Sequence, residues 1–341
     1  MPREKKTGKV TVFDIAEALK VSASTVSRSL NDHPNISKKT KKKVFTMAKK
    51  MGYGMGLKYK EAKSIRKLIA LVIPSLESSF YIEYAKYLQN YLDLFDYNLV
   101  IFSTNNNDKE ESKIAEQLTQ FKLVGAIISL SNSSEGADSF KVLDEYNIPW
   151  IMFDQVDYSF NKLTITTDNV LASKKAVSHL LGNGYKRIAH LAGHPNSSKY
   201  SEIVEGYKLA LTENDIDFNS DYLIYSDLTK EDIAESLHRL LTLDVPPNAI
   251  FIASSDATIE VHHFLKNNSI QIPNDIAIVS YGFEKSLKYT TPSISHVQIP
   301  VRELAQKTSD SLINLLRKEH NKSTLISISA KFIIGKSSMS F

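Results

Sequence analysis

The sequence predicts an α/β chain carrying a separate helical head, on three observations. Residues 68–341 alternate short apolar runs with longer amphipathic stretches, as parallel sheets covered by helices require. Residues 10–51 instead repeat apolar side chains at three-to-four spacing. Charge divides at the same place: residues 1–67 hold 18 Lys and Arg against 5 Asp and Glu, a net of +13, and the remainder 24 against 33, a net of −9. A basic head on an acidic body is the electrostatic footprint of phosphate binding confined to one end.

Within the head, Val10 to Pro34 reads as two short helices joined by a tight turn. Thr11 is the expected N-cap of the first, whose inner face carries Ile15, Ala16 and Leu19. Ser22 opens the second, which buries Val26 and Leu30 and turns Ala23, Ser24, Ser27 and Arg28 outward. Small and polar side chains suit a helix pushed into a groove lined with hydrogen-bonding edges, as the second helix of a helix-turn-helix is. A plain helical hairpin has the same spacing, and a basic tail the same charge. Val44, Met47, Ala48 and Met51, recurring at helical spacing among the lysines, argue against a tail. Ser37 is the expected N-cap of that third helix and Gly52 its stop. Lys38, Lys39, Lys41, Lys42 and Lys43 oppose its dipole in the first turns, a small local cost that phosphate neutralisation explains.

These residues resemble the DNA-binding head of the LacI/GalR family of bacterial transcriptional regulators. The resemblance rests on Val10-Thr11, Asp14-Ile15-Ala16, Val21-Ser22, Ser24 to Arg28, Leu30-Asn31, Ile36-Ser37, Thr40, Val44 and Gly52-Tyr53. It implies a homodimer on a roughly palindromic double-stranded DNA operator, acting as a repressor in the cytoplasm on the nucleoid, without cofactor or metal. Arg28 is then the expected base or nearby phosphate contact, with Ala23, Ser24 and Ser27 setting the fit. Thr11, Ser22, Thr25, Asn31, Ser37, Thr40, Lys41 and Tyr53 complete the DNA-facing set.

The same resemblance divides the chain into a helix-turn-helix head (1–54), a hinge or linker (55–67) and a two-lobed periplasmic-binding-protein-like effector and dimerisation domain (68–341). One lobe is expected from about 68–164 and 294–323, the other from 165–293 and 324–341. In the linker, Gly54 and Gly56 raise the cost of a hinge helix by about 1 kcal/mol each, and Ala62 stands where the family places a leucine. A flexible basic tether is the reading here.

In the body, strands are expected at 68–73, 98–102, 124–129, 149–153, 187–192, 249–253 and 276–281. Phe80, Tyr84, Leu88, Tyr91 and Phe95 mark an intervening helix. A small-molecule effector would sit between the lobes at strand carboxyl ends. By resemblance its candidate contacts are Phe80, Tyr81 and Asp154. The family's ligand-gripping arginine falls on Ser201, its aspartate on Gly282, the asparagine of an Asn-Asp pair on Ser255 beside Asp256, and a strand-end aromatic on Leu228. Losing that arginine and aspartate removes two charge-assisted hydrogen bonds, so a hydroxyl-rich sugar is not the automatic ligand.

Other classes find little support. Cysteine is absent, which excludes disulfides and thiolate chemistry and fits a reducing cytoplasm. No apolar run of about 18 residues suggests a membrane span. Phosphate-cradling loops, metalloprotease and nucleophile-elbow motifs are missing, and His262-His263, adjacent on a helix, reads as surface or packing. The competing hypotheses are a small-molecule binding protein with a vestigial head and an α/β enzyme, which would need a catalytic constellation not seen.

Overall fold

The computed structural model describes residues 10–30, 36–51, 66–131, 136–319 and 324–339. Asn31, the helix stop Gly52, Tyr53, the arm at 1–9 and residues 55–65 of the linker lie outside them. The chain divides into two compact units, Met1–Arg66 and Lys67–Phe341.

In the first unit, α1 (Val12–Leu19), α2 (Ala23–Leu30) and α3 (Lys38–Lys50) pack around Ile15, Ala16, Val26, Val44 and Ala48. The caps are those the sequence announces. Thr11 and Asp14 exchange bonds in a capping box at the start of α1. The Thr25 amide donates to Ser22 Oγ and the Thr40 amide to Ser37 Oγ, each at 3.1 Å, satisfying backbone donors that the first turns of α2 and α3 leave open. Ala23 departs from expectation. It is half-buried against the head core rather than turned outward.

The second unit runs β1 (Lys67–Ile73), α4 (Ser79–Leu92), β2 (Tyr97–Ser103), α5 (Asp108–Gln120), β3 (Leu123–Ile128), α6 (Val142–Glu145), β4 (Trp150–Phe153) and β5 (Thr164–Thr167). It continues α7 (Asn169–Gly182), β6 (Ile188–Ala192), α8 (Ser198–Glu213), β7 (Leu223–Tyr225), α9 (Lys230–Leu241), β8 (Ala249–Ile252), α10 (Ser255–Asn267), β9 (Ala277–Gly282) and α11 (Glu284–Leu287). It ends β10 (Ser295–Gln298), α12 (Val301–Leu316), β11 (Leu325–Ile328) and β12 (Lys331–Ile333). Two six-stranded sheets result, ordered β2-β1-β3-β4-β5-β11 and β7-β6-β8-β9-β10-β12. The two orders match strand for strand. All pairings are parallel except β10 with β12, an antiparallel edge.

Apolar strands such as Ile69–Ile73 are buried on both faces, as parallel sheets covered by helices demand. On α4, Tyr84 stacks on Phe153 of β4 at 4.2 Å between ring centres. The chain leaves the first sheet after Thr167, the second after Gln298 and the first again after Ile328. Each point lies a few residues beyond the expected crossings near 164, 293 and 323. The reason is that TITT, SHVQ and LISI form short strands towards one end of each sheet, though they lack the long apolar runs that marked the others.

Glu111 on α5 is fully buried. It accepts the Ser131 amide, while its Oε2 has no hydrogen-bond partner. Burial pushes its carboxyl up to about 7, only partly offset by the Ser131 bonds. The folded state therefore favours the protonated form. Stability from this group is complete below the ordinary value near 4.5 and is lost as pH rises through about 7. Glu111→Gln is expected to unfold at a higher temperature than the parent at pH 8, by up to about 3 kcal/mol of stability, with the gap closing near pH 4. Thermal unfolding across that range checks it.

Candidate functional site

Two surfaces carry the sequence-derived candidates. On the head, Ser24, Ser27 and Arg28 are exposed along α2, whose opposite side buries Val26 and Ser29. Ser22, Ser24 and Thr25 hydroxyls cluster at the start of α2, with Ser22 Oγ 2.8 Å from each of the other two. This is the positive end of the helix dipole. On α3, Lys39, Lys42, Lys43 and Lys50 are exposed, and Thr40 and Lys41 are half-buried. Thr11 and Ser37 are exposed beside the caps they form.

In the body, a cleft of about 600 Å³ opens between the lobes at the carboxyl ends of the strands. It lies where β1 and β6 each separate neighbours that run off in opposite directions, the crevice where open α/β sheets bind ligands. Phe80, Tyr81, Leu228, Ser255 and Gly282 line it. Asp154 stands one layer behind. It ends β4 in the left-handed region at φ 58°, which aspartate tolerates. Its carboxylate accepts the Tyr81 hydroxyl at 2.8 Å and the Lys199 ammonium at 3.0 Å.

Ser201 is not brought to the cleft. It is exposed, and its hydroxyl donates to the Pro195 carbonyl at 3.0 Å. The helical repeat explains this. On α8, Lys199, Ile203 and Tyr207 follow one another at four-residue spacing along the buried face, and a residue two positions from Lys199 must point away. Lys199 is thus the charged group that α8 delivers to the cleft. It is 8 % exposed, and its Nζ lies 4.9 Å from the Phe80 ring centre. Burial opposes its charge most strongly of any single cause, but the Asp154 carboxylate and Tyr200 together outweigh burial and hold the ammonium above its ordinary value. Burial, with Asp154 adding to it, likewise pushes the Tyr81 phenol well up, so Tyr81 remains a donor.

Further bonds join the lobes. Ser197 Oγ donates to Gln155 Oε1 at 2.6 Å, and the Val156 amide to Ser198 Oγ at 3.1 Å. Asp256, on α10 of the second lobe, accepts the backbone amide of Ser79 at 3.2 Å and its hydroxyl at 2.7 Å, capping α4 of the first. Two glycines shape the wall. At Gly282, φ is 154° and a Cβ would come within 2.8 Å of Ser255, so no aspartate fits in this arrangement. At Gly193 a Cβ would meet the Tyr200 ring at 2.3 Å, so the missing side chain lets Tyr200 lie against the backbone and line the cleft. Sequence reasoning missed Lys199, Tyr200, Gln155 and Ser197. A lysine in the first turn of a helix reads as surface, and only the four-residue row to Ile203 and Tyr207 hints otherwise.

Residues 66–336 match the family described as periplasmic binding proteins and sugar binding domain of LacI family, and residues 11–54 match bacterial regulatory proteins, lacI family. Catabolite control protein A of Priestia megaterium is 25% identical over 325 residues, covering 94% of this chain and 96% of the relative. A probable HTH-type transcriptional repressor, ExuR of Bacillus subtilis (strain 168), is 25% identical over 334 residues, covering 96% and 98%. Among solved structures, the lac repressor dimer bound to operator and the anti-inducer ONPF superposes with TM-score 0.74 at 20% identity, covering 98% of this chain and all of that one. The CelR–cellobiose complex gives 0.72 at 19% identity, covering 96% of this chain and all of that one. At such identities the structural likeness establishes the fold. With both family matches in place, the chain belongs to the LacI family of bacterial regulatory proteins, a DNA-binding transcriptional regulator with a helix-turn-helix head and a periplasmic-binding-protein-like effector domain.

Proposed function

We propose that this regulator is a homodimeric repressor, not an enzyme, that reads a roughly palindromic operator with α2 of each head and answers to a small molecule in the interlobe cleft. The observation that carries this reading is the exposed row Ser24, Ser27 and Arg28 on a capped helix within a 67-residue N-terminal stretch of net charge +13. Phosphate neutralisation by the lysines of α3 would supply affinity, and the α2 row would supply sequence preference. Two heads related by a two-fold axis would take one half-site each. The names of the relatives support the direction: ExuR is called a probable repressor, and the lac repressor structure is a dimer on operator. We place its action in the cytoplasm, on the nucleoid. No helix among the described residues is long and apolar enough to cross a membrane.

Effector control follows from linkage. A ligand that binds the closed and open lobes unequally shifts operator affinity by that difference and no more. Asp154 and Lys199 would set the closed geometry, with Phe80, Tyr81, Leu228, Ser255 and Gly282 as the lining.

Binding of fluorescent promoter fragments at fixed moderate salt, against random duplex of equal length, tests the head. A clear preference is expected, and equal affinity for every duplex would overturn the reading. Arg28→Ala should weaken operator binding by about 1–3 kcal/mol while leaving random-duplex binding much less affected. In the cleft, Lys199→Met should destabilise the body by about 3–5 kcal/mol in urea unfolding, because Asp154 loses its partner in a buried site. Ser201→Ala should stay within about 0.5 kcal/mol of the parent.

A further inference from the structure

The geometry points to an effector that carries a protonated amine, an inference that rests on the cleft being the effector site. Five carboxylates line the cleft: Glu77, Asp227, Glu231, Asp256 and Glu260. Asp256 and Glu260 stand one turn apart on α10, so both project from the same side of that helix. Against these, the cationic lining residues are Lys230, which is exposed, and Lys199, with His194 half-buried. The positive charge of Lys199 is already taken by Asp154 at 3.0 Å. The field left in the cleft is negative, and a cleft with low-dielectric walls concentrates it.

A second, independent observation points to the same chemistry. The cleft already holds an ammonium, its own. The Lys199 Nζ lies 4.9 Å from the Phe80 ring centre and 5.9 Å from that of Tyr200, with a carboxylate behind it. Aromatic faces backed by carboxylate are what an alkylammonium needs in order to leave water. The cleft lining continues this composition, with the Tyr200 ring beside the carboxylates Asp227, Asp256 and Glu260 among its residues.

The complementary exclusions are equally direct. No arginine lines the cleft among the described residues. Ser201, where the family's arginine falls, turns away to the Pro195 carbonyl. A phosphorylated or carboxylated ligand would meet mostly like charge, answered by the exposed Lys230 while Lys199 is held by Asp154. A neutral polyol could donate hydroxyls to the same carboxylates, and it would then bind as well as its amino counterpart. Comparing the two discriminates.

Isothermal titration of the full chain with matched sets is the test: glucosamine, glucose and glucose 6-phosphate; putrescine, 1,4-butanediol and succinate. At least one amine should bind at least about tenfold more tightly than its neutral partner, with the anion weaker than both. Added salt should weaken that binding. Glu260→Gln and Asp256→Asn should each reduce it about tenfold, with folding checked by thermal unfolding. Glu260→Gln does not touch the interlobe bonds of Asp256 and keeps the test readable if Asp256→Asn unfolds. Equal or tighter binding of a neutral or anionic member, unchanged amine binding in Glu260→Gln, or no amine binding up to about 10 mM each overturns the inference. Operator preference of the parent protein, measured separately, is untouched by those outcomes, so failure here is distinct from failure of the regulator reading.

Discussion

A lysine from one lobe and an aspartate from the other meet 3.0 Å apart, both buried. Much of the cleft follows from that constraint. Asp154 ends β4 in a left-handed turn and Lys199 sits in the first turn of α8, so the pair forms only when the two sheets present these ends to each other. Separating the lobes would strip each charge of its partner, which is unfavourable wherever solvent does not fully replace it. Ser197 on Gln155 and Asp256 on Ser79 act in the same sense and are weaker singly. Lobe geometry and cleft chemistry are thus set by the same atoms.

This arrangement also explains why two family anchors are absent without the cleft collapsing. The aspartate position is occupied by Gly282, because the start of α10 at Ser255 comes too close for any side chain. The arginine position, Ser201, faces solvent, and the inward row of α8 offers Lys199 instead. Positive charge is retained in the wall but is consumed internally, so the remaining carboxylates govern what the cleft can accept.

Much of the architecture was legible in the sequence because its signals are local. Caps such as Thr11, Ser22 and Ser37 are read from one residue and its neighbours three positions on, and apolar runs such as Ile69–Ile73 need no partner to be recognised. The short strands β5, β10 and β11 were not legible. TITT is buried only because β4 and β11 flank it, a fact of pairing rather than of composition. The cleft divides likewise. Phe80, Leu228 and Gly282 were marked by the family resemblance, whereas Lys199 depends on the angular phase of α8 against a sheet distant in sequence. Ala23 was misplaced for a related reason: at the first position of a short helix, a small side chain can turn to the core of the head.

A double-mutant cycle across the cleft tests most directly whether Asp154 and Lys199 tie the lobes together. Unfolding free energies of the parent, Asp154→Asn, Lys199→Met and the double variant give the coupling energy. A coupling of about 1.5 kcal/mol or more is expected, with the double variant recovering part of what the single variants lose. Additive losses, with coupling near zero, would contradict it.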